Sequence, residues 1–126
     1  RILNFGHTFG HALEALANFR GITHGEAVAI GMNLAFAVGE ALGITEAGMR
    51  VDLEKRLRRV GLPVNVPPHI TADELVDAAL RDKKRSSRGV HFVFVTTPGK
   101  TRVKELESTL LRSIMKKLAK NAWKQV

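Results

Sequence analysis

The sequence predicts a mainly α fold, a multi-helix domain with one small β-hairpin. Three observations predict it: apolar residues recur near a 3.6-residue period through most of the chain, prolines cluster at 63, 67 and 68, and one β-rich run meets a turn. A chain of 126 residues with 44% hydrophobic content closes one core and leaves little room for a second. Residues 1–126 are therefore expected to form a single domain.

The elements follow in chain order. Asn4 to Phe19 carries Phe5, Phe9, Leu13 and Leu16 at helical spacing. Gly21 to Gly43 begins with Thr23 and His24, which can cap a helix, and runs almost continuously apolar from Ala27 to Val38, as a helix buried on most of its surface does. Gly31 and Gly39 share a face of that helix and would let another backbone approach. Thr45 and Glu46, with Val51, Leu53, Leu57 and Val60, predict a charged amphipathic helix that stops at Gly61. GLPVNVPPH is a connection in which the prolines forbid regular helix. Thr71 and Glu74 form a capping-box pattern ahead of a short helix, Ala72 to Leu80, and the charged run RDKKRSSRG follows it. VHFVFVT, the turn TPG and KTRVKEL make the hairpin. Glu107 to Trp123 places Leu110, Leu111, Ile114, Met115 and Leu118 on one face, with Lys116, Lys117 and Lys120 elsewhere.

Composition narrows the chemistry. With no cysteine there is no disulfide and no thiolate metal site, so any metal rests on imidazole nitrogen and on oxygen. No long uncharged apolar stretch and no secretory signal are present, so a cytoplasmic protein without a membrane partner is expected. The chain opens at Arg1 with a motif almost at once, the pattern expected of a fragment. The net charge of +8 resides beyond residue 49, where 18 basic groups face eight acidic ones. That balance fits a solvated surface and a pocket for an anionic substrate. A nucleic-acid partner is not expected, because few aromatics interleave the basic residues.

Three of the five histidines fall within 18 residues. His7 and His11, four apart on a predicted helix, project from one face, and Glu14 follows on the same side, where it can orient an imidazole. His24 stands at the start of the next helix, where the neutral, metal-binding form is favoured. Gly6, Gly10, Gly21 and Gly25 flank them. Spacing alone leaves a metal site and a structural cluster as alternatives.

LNFGHTFGHALEA (residues 3–15) and HGEAVAIGM (24–32) together resemble the paired signature of the 3-dehydroquinate synthase family. GLPVNVP, LRDKK and the VHFVFV-to-PGK hairpin follow in that family's order, with the resemblance weakest beyond Glu105. It implies the C-terminal helical domain of an enzyme whose N-terminal nucleotide-binding α/β domain is absent from this chain. It further implies a zinc or cobalt ion held by His7, His24 and a glutamate that lies before Arg1. Three protein ligands keep one position for substrate oxygen. His11 is implied beside the substrate phosphate as a polar or proton-relaying group, with Asn4 as another substrate contact. In LRDKK, Lys84, rather than Lys83, is expected at the phosphate; Arg85 and Arg88 add positive potential on the same loop. His69 and His91 are assigned to structure, and Glu26 to capping the helix behind His24.

By resemblance, the complete enzyme converts 3-deoxy-D-arabino-heptulosonate 7-phosphate, a sugar acid phosphate, to 3-dehydroquinate in the shikimate route. NAD is bound by the other domain and a homodimer is the expected assembly. This chain alone is expected to be inactive. The rivals are another sugar phosphate cyclase, of the 2-deoxy-scyllo-inosose or amino-dehydroquinate type, and a non-catalytic basic binding module.

Overall fold

The computed structural model describes residues 6–18, 21–84 and 91–120, with backbone alone at 82–84 and 91. In order they form α1 (His7–Ala17), α2 (His24–Ala41), α3 (Met49–Arg59), α4 (Ala72–Lys84), β1 (His91–Thr97), β2 (Lys100–Glu105) and α5 (Ser108–Leu118). The expected mainly helical domain with one antiparallel hairpin is the fold observed.

α2 is the central element, packed against α1, α3, β1 and α5. Its start is fixed by a capping box: the Glu26 amide donates to Thr23 Oγ1 at 3.1 Å, and the Thr23 amide donates to Glu26 Oε1 at 2.9 Å. Thr23 and Glu26 thus perform the capping expected of this segment. Ala27, Ala29 to Gly31 and Asn33 to Gly39 are all buried. Asn33 Nδ2 donates to the Val64 carbonyl at 3.1 Å, which ties the proline-rich connection across the helix.

α1 lies antiparallel on α2, and small residues set the spacing. A Cβ on Gly31 would run into the Gly6 carbonyl oxygen and stand 2.7 Å from the Gly10 amide nitrogen. The expected close approach therefore holds at Gly31. Gly39 instead faces the Thr45 side chain. Gly6 caps α1 at φ 74°, a conformation that favours glycine, with Met32 packed where a side chain would go. Only the middle of the predicted first helix, His7–Ala17, is helical among the described residues. It ends where Asn18 turns left-handed at φ 55°. Phe9 and Leu13 are buried in the main core, and Phe9 stacks on Phe92 of β1 at 5.9 Å.

Two predicted boundaries move. The helix read from Thr45 begins at Met49, because Thr45 is recruited elsewhere: its buried hydroxyl donates to the Val95 carbonyl at 2.7 Å, and the Glu46 amide donates to the Thr96 carbonyl at 2.8 Å. This segment covers the outer edge of β1. α3 is then anchored by the Arg50 amide on Glu40 Oε2 at 2.9 Å. Val51 and Val60 of its predicted apolar face are exposed, while Leu57 is buried. α4 starts on the expected Thr71–Glu74 capping box. It runs past Leu80 to Lys84, so the DKK part of the charged run is helix rather than loop. A run of Asp and Lys has no apolar period to mark its end, and lysine is a good helix former. On α5, Leu111 and Met115 are buried against the core. Arg112 bridges to Asp73 at 2.8 Å and Asp77 at 2.7 Å, joining α5 to α4.

The basic excess faces solvent on several elements: Lys55, Arg56, Arg58 and Arg59 on α3, Lys100, Arg102 and Lys104 on β2, and Lys116 and Lys117 on α5 are exposed. Among the described residues no helix is long and apolar enough to cross a membrane.

Candidate metal centre

α1 and the start of α2 carry the three candidate histidines. On α1, His7 and His11 are one turn apart, and their rings meet edge-to-face with centroids 5.8 Å apart and planes at 77°. Glu14 comes one turn later still, buried although charged. Burying a carboxylate is costly unless it is paired, and its partner is His24. The Nδ1 of His24 lies 3.1 Å from Glu14 Oε2 and 3.2 Å from Oε1. The Glu14 side chain is 11% exposed and that of His24 is 64% exposed, so the buried carboxylate grips the inner nitrogen of an accessible ring.

The pairing follows from the helical hairpin. In an antiparallel pair, residues equidistant from the turn face each other, and here Gly6 packs on Met32, Gly10 on Ala27 and Val28, and Glu14 on His24. All straddle position 19. Glu14 is expected from the sequence to orient an imidazole, and its place one turn from His11 makes His11 the nearest candidate. The structure selects His24, reached from the neighbouring helix. Symmetry about the inter-helix turn is the signal in the sequence that identifies this contact.

The expected site residues divide as follows. His7 joins His11, and His24 joins Glu14. Seven residues of α1 separate the backbone positions of His7 and Glu14, a rise of about 10 Å along the helix axis. Lys83 and Lys84 form the last turn of α4, which packs against α1. Asn4, Arg85 and Arg88 lie outside the described residues. His69 is exposed in a turn, and His91 opens β1. Among the described residues no group of three His, Cys, Asp or Glu gathers as a complete metal-binding set.

The donor chemistry nonetheless fits a divalent transition metal. A carboxylate behind a histidine is the arrangement that directs the other ring nitrogen outward as a ligand. Imidazoles without thiolates suit Zn²⁺ or Co²⁺. The described seam supplies part of such a site.

Comparison with known proteins gives the family of the chain. Residues 1–85 match the family described as 3-dehydroquinate synthase C-terminal. A 3-dehydroquinate synthase from Thermosynechococcus vestitus is 36% identical over 118 residues, covering 93% of this chain and 32% of that protein. One from Francisella tularensis subsp. holarctica is 39% identical over 98 residues, covering 78% and 27%. The chain thus spans about a third of the length of the curated relatives it matches. Two solved structures share the fold. A 2-epi-5-epi-valiolone synthase from Streptomyces hygroscopicus subsp. jinggangensis, with NAD⁺ and Zn²⁺ bound, matches at TM-score 0.79 and 24% identity, over 95% of this chain and 33% of that one. A 2-deoxy-scyllo-inosose synthase complexed with carbaglucose-6-phosphate, NAD⁺ and Co²⁺ matches at TM-score 0.75 and 24% identity, over 92% and 33%. The histidine-bearing helical hairpin lies within the matched residues 1–85, and the chain belongs to the 3-dehydroquinate synthase C-terminal family.

Proposed function

We propose that this chain is the helical, metal-bearing part of a 3-dehydroquinate synthase, converting 3-deoxy-D-arabino-heptulosonate 7-phosphate to 3-dehydroquinate and phosphate. The nucleotide-binding portion that holds NAD is then supplied by sequence outside residues 1–126. The observation that carries this reading is the accessible His24 ring, anchored by buried Glu14 of α1, the helix that also bears His7 and His11. It stands in a chain 36–39% identical to dehydroquinate synthases.

In this reading His7 and His24 hold the divalent metal with a glutamate from outside the chain. The metal, when bound, supplies Lewis-acid polarisation of the hydroxyl that is oxidised, while NAD carries the hydride. His11, exposed and edge-to-face with His7, would hold the departing phosphate or move a proton to it. Lys84, with Lys83 beside it, adds positive charge from the end of α4, and Asn4 contacts substrate. Buried Phe9 and Leu13 on the other side of α1 keep this face fixed against the core. The complete enzyme is proposed to be a cytoplasmic homodimer.

Phosphate release by the full-length protein, supplied with the heptulosonate phosphate, NAD and zinc, tests this. Turnover is expected with that substrate and not with glucose 6-phosphate, whose carba analogue occupies one of the similar solved structures. The reverse preference assigns the chain to another cyclase. The 126 residues alone are expected to show no turnover, and measurable turnover from them contradicts the division of labour.

A further inference from the structure

Glu14 has no place in the chemistry just described, yet it is a buried carboxylate whose described contacts are both with one ring nitrogen. An ionised carboxylate only accepts hydrogen bonds, so the contacts at 3.1 and 3.2 Å are satisfied when Nδ1 carries the proton. A neutral imidazole with its proton on Nδ1 presents a bare lone pair on Nε2. In water a free histidine side chain prefers the opposite tautomer, with the proton on Nε2, and then its remaining lone pair points towards the protein. Position 24 is 64% exposed on its side chain, so solvent alone would leave it near that unfavourable preference.

We propose that Glu14 is a positioning residue that holds His24 in its Nδ1–H tautomer, so that Nε2 is preset as a ligand for a divalent cation. This rests on the reading of His24 as a metal ligand. Three features make Glu14 suited to the task. It sits on α1 while His24 sits on α2, so the bond fixes the ring across the seam rather than along one helix. Gly31 and Gly10 bring those two helices close enough for the contact to form. The Thr23–Glu26 capping box fixes the backbone on both sides of His24, leaving the ring orientation to Glu14. Glu26, the other carboxylate nearby, is engaged with the Thr23 amide.

The test uses full-length protein with ¹⁵N-labelled histidine, metal-free, and reads the His24 tautomer from two-bond nitrogen–proton correlations; His24→Asn identifies its signals. Nδ1–H is expected in the parent protein, with a shift towards Nε2–H in Glu14→Ala. Glu14→Gln keeps shape and a neutral acceptor, so it should retain the tautomer. Zinc affinity, measured by competition with a chelating dye, should fall about 10- to 100-fold in Glu14→Ala and less in Glu14→Gln. Circular dichroism confirms that both variants fold. An Nε2–H tautomer in the parent protein, or unchanged zinc affinity in Glu14→Ala while His24→Ala loses zinc, overturns the role of Glu14 and leaves the metal site standing. Zinc affinity indifferent to His24→Ala overturns the metal reading itself, and the proposal with it.

Discussion

Gly31 of α2 lies so close to Gly10 of α1 that a side-chain carbon at position 31 would stand 2.7 Å from the Gly10 amide nitrogen and 3.1 Å from its Cα. Those are backbone atoms and cannot swing aside. Gly31→Ala is therefore expected to destabilise by about 1–3 kcal/mol, the usual range for overpacking, despite the better helix propensity of alanine. Gly25, in the first turn of the same helix, has no atom within 4 Å of the point a methyl group would occupy, so Gly25→Ala should be neutral or slightly stabilising. Urea denaturation of both variants measures the contrast. Equal stability of the two would mean that the helices can part at no cost.

Loss of the α2 cap should be felt at His24. Thr23→Ala removes the acceptor for the Glu26 amide and should cost about 1 kcal/mol. Thr71→Ala, at the matching cap of α4, should cost a similar amount. Of the two, only the first is expected to weaken zinc binding, because only that cap abuts His24, the proposed ligand. Zinc titration of the two variants at matched stability separates these effects.

Thr45→Val keeps the volume of a buried side chain but deletes the hydroxyl that donates to the Val95 carbonyl. A loss of about 1–3 kcal/mol is expected. Faster amide exchange should appear at Glu46, whose own bond to Thr96 holds the same segment on β1. Unchanged exchange there would separate the two contacts.

The α4–α5 bridge gives a pH signature. The hydrogen bond from Arg112, with Lys116 nearby, holds the Asp73 carboxyl below its ordinary 3.8. A carboxylate with a depressed folded value adds stability above the unfolded value and loses it as pH falls through the folded one. Arg112→Leu should therefore lower the melting temperature at neutral pH, and the gap from the parent protein should close below about pH 4. The gap should also shrink in high salt, since these groups are exposed. A gap that persists at low pH would locate the effect in packing rather than charge.

What could be read from the sequence was local. The helix cap at Thr23, the capping box at Thr71, the apolar run of α2 and the Pro98–Gly99 turn of the hairpin are each specified by residues a few positions apart, and each is present. The end of α4 and the role of Thr45 were not legible, because a charged run has no period and because Thr45 answers to β1, fifty positions away. At the site, His7 and His11 were legible as a pair on one helix face. The partner of Glu14 was obscured by its sequence neighbour His11, since contact across two helices depends on how the hairpin folds back.

The central claim is that His7 and His24 hold the metal while His11 serves the substrate. Zinc content and turnover of full-length His7→Ala, His24→Ala and His11→Ala, measured side by side, test it most directly. The first two should lose zinc and turnover together, and the third should keep zinc and lose turnover. Equal zinc loss in all three, or zinc retained in His24→Ala, contradicts it.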